Sequence, residues 1–190
     1  MNDDRLTQAP SRMLGRQSPE HSAPVVDWQA ELVRDLVRAT GGASGWGRPD
    51  NGGKRSTQLH LAVLIEPFLE FILERRKTIE SRFSVNKVAP YGVVRPGDQL
   101  ALKRSSGPVV GICRVHRAAF FEVDSTVLEQ LRADYAPALC AEEPSFWKAR
   151  ARARYATVLH LADVAQLNPL PCAKRDRRGW VVLPSPVDSL

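Results

Sequence analysis

The sequence predicts an α+β fold: a small mixed β-barrel with one helix after the first strand and a helical insertion before the last strands. Three observations lead there. Apolar residues recur with a period of two in several short runs, the spacing of a strand rather than a helix. Pro96-Gly97-Asp98 and Ser105-Ser106-Gly107-Pro108 break those runs as turns. Two stretches of helical character, near 126–135 and 144–152, interrupt the strand series late in the chain.

The elements follow in order. In the amphipathic patch over 27–40, Trp28, Leu32, Val33, Leu36 and Val37 recur at helical spacing. Six of the chain's twelve glycines then fall within residues 41–53, a composition that buries too little surface to offset its ordering entropy. Residues 1–57 are therefore expected to be a flexible extension with one helix and a Gly-rich linker. That helix, near Trp28 to Val37, can dock on its own domain or on a protein partner. A strand is expected at Leu59–Ile65, after which Glu66-Pro67 opens a helix with an acid at the positive end of its dipole. Arg75, Arg76 and Lys77 gather at the opposite end, where the partial charge is negative. Further strands are expected at Thr78–Phe83, Gln99–Arg104, Val109–Phe121, Tyr155–Asp163 and Trp180–Leu183. The domain thus runs over 58–183, with 184–190 as a tail.

Composition excludes several classes. The 190 residues carry 27 Lys and Arg against 21 Asp and Glu, a formal charge of +6, and 43% are apolar, which rules out wholesale disorder. The longest strongly apolar stretch, Leu59 to Ile65, falls far short of the roughly 18–20 residues a membrane helix needs. The start, MNDDRLTQ, has no apolar core of a signal peptide, so a cytoplasmic protein without membrane association is expected. Cys113, Cys140 and Cys172 are odd in number, against a disulfide scaffold. Cys113 and His116 would point to opposite faces of a strand, so no metal is expected, and nothing calls for a cofactor.

The chemistry concentrates in Glu74-Arg75-Arg76-Lys77-Thr78-Ile79-Glu80-Ser81-Arg82. On a strand beginning at Thr78, the side chains of Thr78, Glu80 and Arg82 share one face, with Lys77 beside it. One carboxylate is then flanked by two cations, and neighbouring strands can add Lys103 and Arg104. Glu80 can orient Arg82, leaving donors for a phosphate, a base edge or a polarised carbonyl. The same spacing also suits a surface salt-bridge ladder, worth roughly 0–1 kcal/mol.

The order strand, helix, RRKTIESR, loop, RPGDQLAL, GPVVGICRV resembles the ASCH domain, a member of the PUA-like β-barrel superfamily. The hallmark of that family is G-x-K-x-x-E-x-R after the first helix. Lys77, Glu80 and Arg82 match three of the four fixed positions, and Arg75 stands where the family has glycine. Pro67 matches a proline that often opens the family's first helix, and Pro96-Gly97-Asp98 its turn before the next strand. Phe146-Trp147 followed by Tyr155-Ala156-Thr157-Val158 is similar to its closing helix and strand. The resemblance implies a PUA-like barrel that binds RNA or a nucleotide-type ligand beside the Lys-x-x-Glu-x-Arg motif, in a regulatory role.

The remaining charge agrees with such a ligand. Residues 58–190 hold 19 basic and 14 acidic side chains. Lys148, Arg150, Arg152 and Arg154 alternate with alanine, and Lys174, Arg175, Arg177 and Arg178 surround Asp176. Phe146, Trp147 and Trp180 border these clusters; they either stack on bases beside bound phosphates or pack in the core. RNA, single-stranded nucleic acid or a nucleotide-like small molecule is therefore the expected partner.

A hydrolase is the first alternative, and a protein-interaction adaptor the second. Some small bacterial ASCH-like proteins resemble amidohydrolases acting on acetylated cytidine, with a motif lysine, a threonine three residues later and a glutamate in the later helical region. Here Lys77 matches the lysine, Glu142 or Glu143 lies near the position of the glutamate, and Glu80 occupies the place of the threonine. A carboxylate can activate water but cannot repeat an alkoxide attack. In a ribonuclease, Lys77 or His116 would move the proton and Arg82 would hold the scissile phosphate.

Overall fold

The computed structural model describes residues 27–42 and 57–185. The sequence of elements is α1 (Trp28–Ala39), β1 (Leu59–Leu64), α2 (Phe68–Leu73), β2 (Ile79–Ser84), β3 (Gln99–Arg104), β4 (Val109–Glu122), α3 (Ser125–Leu139), α4 (Pro144–Lys148), β5 (Tyr155–Leu170) and β6 (Trp180–Val182). The strands form one curled half-barrel sheet in the order β2-β5-β4-β3-β1-β6. All neighbouring pairs are antiparallel except β1 and β3, which run parallel from Leu59↔Gln99 to Leu64↔Arg104. The expected α+β architecture, its helix after β1 and its late helical insertion are all present, and the expected small mixed barrel takes the form of this curled half-barrel.

Three groups of apolar side chains hold the sheet. Leu64, Leu69, Ile72, Leu100, Leu102, Cys113, Val115 and Leu159 fill the concave side beneath α2. On the other face, Ile79, Ala156 and Val158 pack against Leu128, Leu131 and Leu139 of α3 and Trp147 of α4. The third group joins Leu32, Val33 and Leu36 of α1 to Leu59, Leu61, Val109, Ile112, Val181 and Leu183. These three α1 side chains are 1%, 1% and 0% exposed, so the helix covers one end of its own half-barrel. Of the two expected outcomes for this helix, docking on its own domain or on a protein partner, the structure shows the first, with Trp28 and Val37 also packed against that group. The Gly-rich stretch 43–56 and most of the tail, 186–190, lie outside the described residues.

Local chemistry explains several element ends. Asp27 caps α1 by accepting from the Gln29 N–H at 3.0 Å, and Asp124 caps α3 by accepting from Val127 at 2.8 Å. α2 is short because Arg75, two residues past its end, adopts φ +61. Beyond it, the amides of Arg76 and Lys77 both turn back to the Phe71 carbonyl, which aims the chain into β2. β5 continues to Leu170, past the expected end at Asp163, with its register against β4 shifting at irregularities that absorb the curl of the sheet. Asp163 itself sits at φ +53, a break in periodicity that reads as a strand end in sequence.

Candidate functional site

The two edge strands, β2 and β6, face each other across the open seam of the half-barrel. A cleft of about 540 Å³ lies along this seam. Its walls come from the end of β1 (Val63, Leu64, Ile65), from Phe68, from β2 and from the segment around α4 (Phe146, Arg150, Arg152).

The period of β2 sets what faces the cleft floor. Leu161 donates to the Thr78 carbonyl and Arg154 to that of Ser84, so the even residues direct their backbone to β5. Their side chains share the concave side, where Glu80 lies between Lys77 and Arg82. Lys77 Nζ is 3.2 Å from one carboxylate oxygen and Arg82 Nε 3.0 Å from the other. The second contact is an ion pair without hydrogen-bond alignment. Lys77 is 3% and Glu80 6% exposed, so this is no surface ladder. Lys77 Nζ also donates to the Ile79 carbonyl.

Arg82 also bridges elements of the sheet. Its Nη2 donates to the Val63 carbonyl at 2.9 Å and its Nη1 to that of Gly179 at 3.3 Å. One guanidinium thus ties β2 to β1 and to the residue before β6, bridging the seam at this point. Trp180 lies 5.4 Å from its Cζ. Behind the indole, Trp180 Nε1 donates to His60 Nδ1 at 3.3 Å, and His60 Nε2 is 3.1 Å from Asp98 Oδ2. Because indole is only a donor, His60 Nδ1 must accept, and Nε2–H donates to Asp98. Asp98 also accepts from the backbone of Gln58 and Arg95. Burial alone would raise its pKa, but the hydrogen bonds from His60, Gln58 and Arg95 outweigh that and hold it below the ordinary value.

The α4 side supplies the cations that reach the opening. Arg150 lies over the Phe146 ring, 3.3 Å from its centroid, and 5.4 Å from that of Phe83. Burial lowers its pKa, partly countered by the Glu80 carboxylate. Arg152 is exposed on the rim. Phe68, Phe83 and Phe146 meet edge to face, with centroids 5.8 Å apart for Phe68–Phe146 and 6.5 Å for Phe83–Phe146.

The structure thus gathers Lys77, Glu80, Arg82, Arg150 and Arg152 in one cleft. The other expected positions lie elsewhere. Lys103 is buried and donates to the carbonyls of Arg104 and Gly107, holding the β3–β4 turn. Arg104 pairs with Glu66. Lys148 and Arg154 are exposed but do not line the cleft, and Glu142 and Glu143 are likewise exposed and outside it. Thr78 opens instead into a neighbouring pocket with Arg75 and Asp163. Trp147 and Trp180 are core residues, 3% and 6% exposed, so neither offers a free face to a base. Burial, then Glu80, pushes the Cys113 thiol up to about 12, which leaves it an inert packed thiol. Sequence reading missed the His60–Asp98–Trp180 connection; its one visible sign is an acid placed directly after a turn glycine.

No family model and no curated protein matches the sequence. The fold does match solved structures. A crystal structure of ASCH from Zymomonas mobilis superposes with a TM-score of 0.56 at 13% identity, covering 69% of this chain and 92% of that one. A tyrosine-to-phenylalanine mutant of the ASCH protein from Zymomonas mobilis gives 0.53 at 12% identity, over 66% and 90%. With the half-barrel order, the helix before β2 and the Lys77–Glu80–Arg82 motif in the seam, the chain has the fold of the ASCH domain.

Proposed function

We propose that the protein is an ASCH-type module that binds single-stranded RNA, or a nucleotide-type ligand, in the seam cleft. The observation that carries this reading is the composition of the cleft: aromatic walls from Phe68, Phe83 and Phe146 stand beside Arg150 and Arg152. Such a site takes a planar ring against aromatic edges and an anion against guanidinium. The Glu80 carboxylate at the floor adds an acceptor for a donor on the ligand. Lys77 and Arg82 spend most of their donors inside the protein, so their main part is to fix Glu80 and bridge the seam.

Titration of a fluorescent single-stranded RNA pool and of mononucleotides at low salt tests this reading. Saturable binding that Phe146→Ala and Arg152→Glu both weaken supports it. Absence of binding to any of these probes rejects it.

The hydrolase reading keeps one observation in its favour, the buried Lys77–Glu80 pair at 3.2 Å on the floor of an open cleft. There Glu80 would activate water and Lys77 would hold the developing charge. If so, acetylated cytidine or labelled RNA is turned over, and Glu80→Gln loses roughly 10²–10⁴ in rate while binding survives. The absence of any turnover by the wild type leaves the binding module alone.

A further inference from the structure

Beyond the cleft, the same face of the sheet carries an aromatic group that no part of the core requires. β-register places Arg82, Thr157 and Phe120 opposite one another on β2, β5 and β4, with Ser84, Tyr155 and Glu122 as the next row. Directly opposed residues share a face. Tyr91, from the loop between β2 and β3, joins that second row: its ring centroid is 5.1 Å from that of Tyr155 and 5.5 Å from that of Phe120. Phe120 is 38% exposed, and Val85, Val88 and Val93 nearby in sequence are 54%, 54% and 38% exposed. Four of the six large hydrophobic side chains exposed among the described residues therefore lie in residues 85–93 or at Phe120.

A cation rests on these rings. Lys87 Nζ lies 5.1 Å from the Tyr155 centroid and 5.9 Å from that of Tyr91, and it pairs with Glu122 at 2.9 Å. Both members of that pair are exposed, so the contact is a weak one that a competing anion can displace.

The patch is continuous with the cleft. Val85 lines the cleft itself. A smaller pocket of about 140 Å³ shares Arg82, Phe83 and Ser84 with it and is walled further along by Val88, Ala89, Pro90 and Thr157. Surface aromatics beside an exposed cation, leading away from a cationic cleft, match how single strands are held: bases on rings, phosphates on neighbouring cations.

We propose that Tyr91, Phe120 and Tyr155, with Lys87, form a second subsite that stacks the next base or bases of a single strand whose first nucleotide occupies the cleft. The occupant is the continuing strand, because the patch begins where the cleft ends and holds on its rings an exposed lysine whose carboxylate partner a phosphate can replace. Binding moves Lys87 from Glu122 to a phosphate and uncovers the Tyr155 ring. The inference rests on the cleft binding a nucleotide, and the test separates the two.

The probes are a mononucleotide and a single-stranded RNA of about five nucleotides, a length within the range such surfaces occupy. In the wild type the oligonucleotide should bind more tightly than the mononucleotide. Phe120→Ala should remove roughly 5- to 100-fold of oligonucleotide affinity, the range expected for one lost stacking partner, and leave mononucleotide affinity unchanged. Lys87→Gln should flatten the salt dependence for the oligonucleotide only. Equal affinity for the two probes in the wild type overturns the subsite while the cleft reading stands. So does an oligonucleotide advantage that persists in Phe120→Ala and Tyr91→Ala. Wild-type self-association that Phe120→Ala abolishes, with no gain from probe length, assigns the patch to a second copy of the chain and also overturns it. Failure of both probes to bind the wild type removes the cleft reading and the subsite together.

Discussion

Arg75 shows how one residue can hide a motif and reveal its physical meaning. It stands where the ASCH pattern has glycine, and the structure puts it at φ +61, in the left-handed region. A side chain with a Cβ costs roughly 1–2 kcal/mol there. Its guanidinium returns part of this through one exposed hydrogen bond to the Val164 carbonyl at 3.3 Å. Relief of this strain is opposed by glycine's greater freedom in the unfolded chain, roughly 0.5–1 kcal/mol, so Arg75→Gly is expected to stabilise the fold by under about 1 kcal/mol, read as a slightly higher urea midpoint at unchanged m-value. Asp98 gives a second test. Because its folded pKa lies below its unfolded one, its contribution is present above the ordinary carboxylate value and is lost as pH falls through the depressed folded value. Asp98→Asn should lower stability near neutrality and remove this share of the acid-side decline, so wild type and variant converge toward low pH in pH-dependent denaturation.

Among the elements, α1 is the one whose partner the sequence left open, between its own domain and another protein. Its stripe of Trp28, Leu32, Val33, Leu36 and Val37 was legible as a helix face, but periodicity cannot say what covers that face. The Gly-rich stretch after it suggested detachment, whereas the end of the half-barrel formed by Leu59, Leu61, Val181 and Leu183 needs a cover. Leu36 is fully buried there, so Leu36→Ala should cost about 2–5 kcal/mol in chemical denaturation. A chain beginning at residue 58 should lose more, and a stability equal to that of the full chain would refute the docking of α1. β2 was legible for the opposite reason: its alternation Glu80, Arg82 against Ile79, Phe83 fixes both faces at once, with Lys77 at the junction before it. What alternation could not reveal was the partner across the seam. The hydrogen bonds from Arg82 to Val63 and Gly179 span 19 and 97 residues of sequence, and no local pattern encodes them. Lys103 was placed near the site by strand order alone; the short β3–β4 turn captures its ammonium instead.

At the scale of the molecule, the formal charge of +6 is less informative than which cations remain available. Lys77, Arg82 and Lys103 are held by internal carbonyls or by Glu80, and Arg104, Arg114 and Arg178 by Glu66, Asp163 and Asp176. The stretch 148–154 differs. Lys148, Arg152 and Arg154 are exposed, and Arg150 reaches the cleft from its place on Phe146. If about four such cations meet phosphates, log K for a single strand should fall against log salt with a slope near −3. Arg152→Glu together with Arg154→Glu should weaken binding across all sequences and make that slope shallower by roughly 1.4, since each lost contact removes about 0.7. Lys103→Gln should lower stability yet leave the slope unchanged, because its ammonium belongs to the turn. A slope insensitive to the paired reversal but reduced by Lys103→Gln would mean that the strand follows a different face of the half-barrel.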